Sequence, residues 1–102
     1  MKKYIVEYDI EAETDIGNLN KWVAEKSSYE FARRFINRIF DEIDNLSYLA
    51  GVLPPSRYMM PLHYHPEAKT MFVGRRKLTV IFHIDGDYVI VDKILPSAMV
   101  TY

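Results

Sequence analysis

The stretch MFVGRRKLTVIFHIDGDYVIVDKILPS, residues Met71–Ser97, decides the fold. Its alternating apolar residues predict one strand over Lys77–Ile84 and a second over Tyr88–Leu95. The dipeptide Asp85-Gly86 lies between them and is typical of a two-residue hairpin turn. The sequence therefore predicts an antiparallel β-hairpin in the second half of the chain.

The two faces of the first hairpin strand differ in chemistry. One face is apolar and can close a core, whereas the other carries a cation, a hydroxyl and an imidazole. We expect the second face to be open, because no element is predicted to cover it, and to meet a nucleic acid or an acidic partner. The apolar face holds Leu78, Val80, Phe82 and Ile84, and the polar face holds Lys77, Thr79, Ile81 and His83.

Two amphipathic helices are predicted before the hairpin. A short strand over Lys3–Tyr8 leads to Asp9, a good N-cap for a first helix whose core positions include Trp22. Ser27 opens a capping-box pattern for the second helix, and Gly51 is a natural residue to follow its C-terminal end. Because few residues separate the helices, they are expected to form an antiparallel pair.

Between the helices and the hairpin, the pattern predicts a strand over Lys69–Val73 and allows another over Arg57–Leu62. The order of elements predicts an α+β fold in a single domain, residues 1–102. It consists of an N-terminal strand, an antiparallel helical hairpin, and then a three- to four-stranded antiparallel sheet with both helices on one face.

Composition narrows the class of protein. The chain has 102 residues, a formal net charge of −1 and no cysteine, which leaves no disulfide framework and no thiolate metal site. No segment reaches the roughly 18 apolar residues that span a membrane, and none resembles a signal peptide, so we expect a cytoplasmic protein. Positive charge is concentrated in residues 51–102, with 6 Lys and Arg against 4 Asp and Glu.

His63 and His65 would point the same way in an extended segment, which is a spacing that can bind a transition metal. Such a site needs a third ligand and an ordered strand, and Pro66 interrupts strand pairing. We therefore expect two solvated or hydrogen-bonded imidazoles in a loop, with no metal and no cofactor.

The basic and histidine residues could cleave RNA without a metal. That chemistry needs a base for the 2′-hydroxyl, cations around the phosphorane and an acid for the leaving oxygen. The alternative is structural, because strand histidines and hairpin-end cations commonly serve packing or keep a sheet edge from aggregating. The candidate catalytic residues are Lys77, His83 and Tyr102, and the candidates for binding nucleic acid or another target are Arg57, Lys69, Arg75, Arg76 and Thr79.

Four segments together resemble the RelE/ParE superfamily, the toxins of type II toxin–antitoxin modules. They are VEYDIEAETDI, KSSYEFARRFINRIFDEIDNL, PPSRY and LTVIFHIDGDYVIVDKIL, residues 6–16, 26–46, 54–58 and 78–95. The resemblance implies the sheet with a helix pair described above. It also implies growth inhibition, a role in plasmid stabilisation, and a neighbouring antitoxin protein that neutralises the toxin as a dimer or hetero-oligomer.

The resemblance leaves the target open. RelE-like toxins cut ribosome-bound mRNA with basic strand residues and a C-terminal tyrosine, which Lys69, Lys77 and Tyr102 resemble. This chain has Thr79 where those toxins usually have an arginine, and a pI of about 6.3 is low for a nuclease that approaches a polyanion. ParE-like toxins instead bind DNA gyrase. A non-toxic member that only binds an antitoxin is the third possibility.

Overall fold

The computed structural model describes residues 2–100, and within them the chain forms a mixed four-stranded sheet in the order β1-β4-β3-β2. Strand β1 pairs with β4 in parallel, and the other pairs are antiparallel. The α+β fold is confirmed, with the N-terminal strand at one edge. The elements are β1 (Ile5–Tyr8), α1 (Ile10–Lys26), α2 (Tyr29–Asp44), α3 (Leu46–Leu49), α4 (Met59–Tyr64), β2 (Lys69–Val73), β3 (Leu78–Asp85) and β4 (Tyr88–Pro96), with 3-10 turns at Ala50–Val52 and Ser97–Met99.

The helices α1 and α2 are joined by two residues and pack against each other as the predicted antiparallel pair. Ser28, one residue after the expected cap, begins α2 by accepting a hydrogen bond from the Phe31 N–H at 3.1 Å. The helix ends at Asp44 instead of continuing to Gly51, because the next residue starts a tighter turn into α3. None of the helices in the described part of the chain is long and apolar enough to cross a membrane.

The first face of the sheet packs against the helix pair. Val80, Phe82, Val89 and Val91 are fully buried there. They contact α1 and α2 through an apolar layer whose other members include Ala12, Ile36, Ile39 and Ile43. Burial of this layer is the main source of stability, since each fully buried aliphatic side chain contributes about 1.5–3 kcal/mol. This side of the hairpin matches the prediction.

The second face of the sheet is also covered, so the prediction of an open polar face is wrong. Thr79 and Ile81 are fully buried beneath α4 and the segment after β4. The allowed strand over Arg57–Leu62 is wrong as well, since Met59–Tyr64 is a helix. Pro61 lies in the first turn of that helix, where no backbone N–H is required. The covering residues are Met60, Leu62, Tyr64, Ala68 and Val100.

A β-bulge shifts the register of the hairpin. Ile81 pairs with Lys93, whereas the next residue, Phe82, pairs with Val91, so Asp92 is an extra residue on β4. The alternation on β4 therefore changes phase, and Ile94 faces the helices together with Val91. The bulge leaves Asp92 hydrogen-bonded to a histidine of β3, described below.

The hairpin turn lies one residue later than predicted. Asp85 pairs with Tyr88, so the two loop residues are Gly86 and Asp87. Gly86 has a φ of +61°, and a positive φ at the first loop residue is the pattern of a type II′ turn, which favours glycine there.

Tyr8 buries its hydroxyl without a hydrogen-bond partner among residues 2–100. Its ring packs edge-on against Phe40, with ring centroids 5.6 Å apart. Burial raises the pKa of Tyr8 to about 12, and the negative charge of Asp44 adds to the effect. The folded chain therefore favours the neutral phenol more strongly than the unfolded chain does.

We expect Tyr8→Phe to stabilise the fold by about 1 kcal/mol, because it removes a buried unpaired hydroxyl and keeps the contact with Phe40. Because the folded pKa is raised, wild-type stability falls as the pH rises from about 10 towards 12, and this loss is smaller in the variant. Urea unfolding at neutral and alkaline pH measures both effects. Tyr29→Phe, at a ring that is 74% exposed, is the control and changes neither.

Candidate protein-binding groove

An apolar groove of about 620 Å³ lies between α1, α2 and the end of β4. Trp22 and Met99 border it and are 58% and 62% exposed. Trp22 was expected in the core and is instead at the surface. Contiguous exposed apolar patches of this kind often mark interaction sites, whereas single exposed apolar side chains are common on any protein surface. The lining includes Leu19, Trp22, Phe35, Ile94, Pro96 and Met99.

Asp15 fixes the floor of the groove by accepting hydrogen bonds from the end of β4. Strand β1 pairs with β4 only as far as Val91, and beyond that point α1 lies along the strand. Asp15 Oδ2 accepts the Ile94 backbone N–H at 2.9 Å, and Oδ1 accepts the Lys93 Nζ at 2.8 Å. The hydrogen bond to Asp15 raises the pKa of the Lys93 ammonium. One carboxylate thus satisfies a sheet-edge donor and a partly buried cation.

Lys77 and Asn18 complete the rim of the groove. The side chain of Lys77 is exposed, whereas the carboxylate of Asp15 is occupied by its two donors. The groove therefore combines an apolar floor with an accessible positive charge at one end.

The loop that follows β2 has an unusual backbone. Gly74, Arg75 and Arg76 all have positive φ, at +60°, +56° and +68°. Glycine adopts this conformation readily, but each arginine in it costs on the order of 1–2 kcal/mol. Both carboxylate oxygens of Glu42 accept the Gly74 N–H, at 3.3 and 3.2 Å, which anchors the loop to α2.

The arginines of this loop are exposed at its tip. The Arg76 guanidinium lies 5.5 Å from the ring centroid of Phe72, within cation–π distance. Arg75, Arg76 and Lys77, predicted as neighbouring cations, are therefore grouped at one end of the sheet.

At the other end of β3, His83 belongs to a polar cluster. Its Nδ1 lies 2.7 Å from Asp92 Oδ2, and the two side chains are only 14% and 12% exposed. The His83 ring stacks on that of His65, with centroids 3.9 Å apart and an interplanar angle of 1°. Burial raises the pKa of the Asp92 carboxyl, although the hydrogen bond from His83 opposes this effect.

His63 and His65, whose spacing could bind a metal, make separate contacts. His65 Nδ1 accepts the Glu67 backbone N–H at 3.0 Å, and its ring faces His83. His63 is exposed and lies edge-on to Tyr64. Within residues 2–100, no three His, Cys, Asp or Glu side chains are arranged to hold a metal ion.

The predicted catalytic residues are not brought together. Lys77 lies in the turn immediately before β3, whereas His83 lies near the far end of β3, and the strand from Leu78 to His83 alone spans about 17 Å at the usual rise per residue. Tyr102 lies outside the described residues. The structure therefore shows no common centre for Lys77 and His83.

The predicted binding residues are also divided. Thr79 is buried and its hydroxyl lies 2.8 Å from the Ser97 hydroxyl, so it is not accessible to a ligand. Lys69 is partly buried, and its Nζ donates to the Ala50 carbonyl at 2.8 Å. Arg57 is exposed in the segment after the two prolines, beside Thr70.

Sequence reasoning missed Asp92, the stacking of His65 and the groove. Asp92 becomes significant only through the bulge, which no glycine or proline marks. The groove had a partial signal, because Trp22 falls on the apolar side of a helical pattern. Its opposite wall comes from Ile94 and Met99, which only the tertiary fold brings near α1.

The fold matches a solved structure. A chain of the structure described as the chromosomal ParDE TA system from P. aeruginosa aligns with a TM-score of 0.78 and 14% sequence identity. The alignment covers 92% of this chain and 96% of that chain. No protein-family model matches the sequence, and no curated protein matches it. The fold implied by the RelE/ParE resemblance is therefore confirmed.

We expect Asp15→Ala to destabilise the fold by about 2 kcal/mol, because it leaves the Ile94 N–H and the Lys93 ammonium without their shared acceptor. Asp15→Asn should lose less, since its amide oxygen can still accept one of these bonds. Chemical denaturation measures the difference. Glu13→Ala, at an exposed position on the same helix, is the control, and equal losses at the two sites would contradict this role.

Proposed function

We propose that this chain is the toxin of a type II toxin–antitoxin module of the RelE/ParE superfamily and that a protein antitoxin neutralises it. The proposal is carried by the exposed apolar groove on a fold shared with a chain of a ParDE system. Contiguous exposed apolar surface of this kind, with Trp22 and Met99 at its border, commonly marks a protein-interaction site.

The groove has the chemistry of a protein-binding site. Trp22 offers a large apolar surface of the type that dominates binding energy when a partner excludes water from it. Lys77 places a positive charge at the rim, which favours a segment with an acidic residue beside its apolar side chains. An antitoxin segment with this pattern is the proposed occupant.

We propose that the toxin acts in the cytoplasm by binding its target, with DNA gyrase as the favoured target. Cleavage would require acid–base groups and cations around a single phosphate, but Lys77 precedes β3 and His83 lies about 17 Å along that strand from its first residue. Arg75 and Arg76 are the proposed target contacts, because they are exposed in a loop anchored by Glu42.

The second candidate is cleavage of ribosome-bound mRNA, and the pairing of His83 with Asp92 favours it. A carboxylate bonded to Nδ1 fixes the imidazole tautomer and leaves Nε2 to accept a proton, as in many general bases. Under this mechanism Lys77, which precedes the opposite end of β3, would contact the bound RNA away from the reacting phosphate. A non-toxic chain that only binds an antitoxin is the third candidate.

We expect expression of the chain to arrest bacterial growth and co-expression of the adjacent small open reading frame to restore it. Trp22→Asp should weaken the complex with that partner at least tenfold, since it places a charge in the apolar groove. Val52→Asp, at a side chain that is 69% exposed and outside the groove lining, is the matched control. Growth arrest and a pull-down assay are measured together.

The outcomes separate the candidates. Normal growth without complex formation contradicts the proposed function, and normal growth with a stable complex supports the non-toxic module. If Val52→Asp weakens the complex as much as Trp22→Asp does, the groove is not the binding site.

We expect the double change Arg75→Gly and Arg76→Gly to reduce toxicity while stabilising the fold by about 1 kcal/mol, because glycine relieves the positive φ values. A toxin that is more stable but less active identifies these arginines as target contacts. Growth assays and urea unfolding give the two measurements. Loss of toxicity in His83→Ala, with the double variant fully toxic, would instead support RNA cleavage.

A further inference from the structure

The contact between His65 and His83 joins two separate parts of the fold. His83 lies on β3, and His65 directly follows α4. Residues 59–67, from the start of α4 to the turn before β2, are called the strap below. The strap covers the second face of the sheet through Met60, Leu62 and Tyr64, which pack around Ile81 and Leu95.

The hydrogen bonds define where the protons lie when both rings are neutral. Glu67 donates its backbone N–H to His65 Nδ1, so that nitrogen must keep its lone pair and the proton of the neutral ring lies on Nε2. His83 has the opposite arrangement, since its Nδ1 lies 2.7 Å from a carboxylate oxygen of Asp92 and donates to it.

The two rings therefore respond differently to a proton. Protonation of His83 keeps its hydrogen bond and turns it into an ion pair with Asp92. Protonation of His65 places a hydrogen on Nδ1, so the hydrogen bond from the Glu67 N–H is lost. With both rings charged, two cations also lie 3.9 Å apart while one carboxylate bonds to one of them.

The surrounding charges do not replace the lost hydrogen bond. Asp9 interacts with Asp92 through space and the side chain of Glu67 is exposed, so both acids can ease the repulsion but neither can restore an acceptor at Nδ1. The nearby cations have other partners, since Lys69 bonds to Ala50 and Lys93 to Asp15. The titratable and charged groups around the stack are Asp9, His63, Tyr64, Glu67, Lys69, Asp92 and Lys93.

We propose that the strap is a pH-sensitive cover, held to the sheet by the neutral His65 ring and loosened when both His65 and His83 are protonated. Loosening the strap uncovers the apolar side chains of Ile81 and Leu95 and leaves the helix-side core in place. Histidine is the side chain whose ordinary charge change falls between about pH 5 and 8, and the test below uses that range. The device does not depend on the proposed toxin function.

Backbone hydrogen exchange tests this proposal on the full chain. We expect the protection factors of amides in residues 60–68, corrected for intrinsic rates, to fall roughly tenfold between about pH 7.5 and about pH 5. The amides of β3 should keep their protection. An equal loss in β3 would indicate global unfolding and would overturn the proposal, as would unchanged protection in the strap.

Matched variants assign the effect to His65. In His65→Asn the side-chain oxygen can accept the Glu67 N–H without titrating, so the pH response of the strap should disappear. His63→Asn changes an exposed histidine of the same strap and should respond as the wild type does. A wild-type response in His65→Asn, or its loss in His63→Asn, would overturn the assignment.

A second variant keeps the test decisive if His65→Asn does not fold. His83→Asn removes one of the two stacked rings but can still donate its amide to Asp92. It abolishes the repulsion between the rings, whereas protonation of His65 still removes the Glu67 hydrogen bond, so its strap should lose some protection in acid but less than the wild type. A loss equal to that of the wild type would overturn the role of the stacked pair.

Discussion

Burial of β3 on both faces is the constraint on which the arrangement of the functional residues depends. The helix pair covers Val80 and Phe82, and α4 with the segment after β4 covers Thr79 and Ile81. A strand buried in this way has no room for cations along its length, because an unpaired buried charge is costly. Its charged and titratable groups are therefore at its two ends, with the arginine loop at one and His83 at the other.

The sequence predicted secondary structure best where the apolar periodicity extends over many residues. The second helix and the β3–β4 hairpin have strong apolar patterns and both were predicted, although the helix ends at Asp44, well before Gly51, and the hairpin turn lies one residue later. The helix α4 was not predicted, since six residues with Pro61 in the first turn show no helical period. Ile81 was the one apolar residue on the supposedly open face, and its size hinted that something would cover it. The covering segment is α4, which lies far from Ile81 in the sequence, so local patterns do not reveal the contact.

The predictions for the candidate site also succeeded where local sequence was enough and failed where the tertiary fold decides. The sequence alone predicted that Arg75, Arg76 and Lys77 lie together, because they are adjacent. The separation of Lys77 from His83 follows only from the structure, in which β3 is extended over its whole length. The extra residue at Asp92 could not be foreseen, because a bulge depends on how both strands pack. The same bulge restores Ile94 to the helix side, next to Asp15, so one irregularity shapes both the histidine cluster and the floor of the groove.

Lys77 links the groove to the arginine loop, and this position gives the proposed function a physical route to neutralisation. It directly follows Arg76 and also lies on the rim of the apolar groove. The loop has a strained backbone: each left-handed arginine costs on the order of 1–2 kcal/mol, and a hydrogen bond to a carboxylate returns about 1.5–3 kcal/mol. The Glu42 hydrogen bond thus returns free energy of the same order as the strain costs, so the arginines add little net stability. Under the proposed function, their role is contact with the target. Under the proposed function, an acidic antitoxin segment in the groove would reach Lys77 and lower the positive potential at the neighbouring arginines. Binding of the antitoxin in the groove would then weaken binding of the target at the arginine loop, without any movement of the sheet.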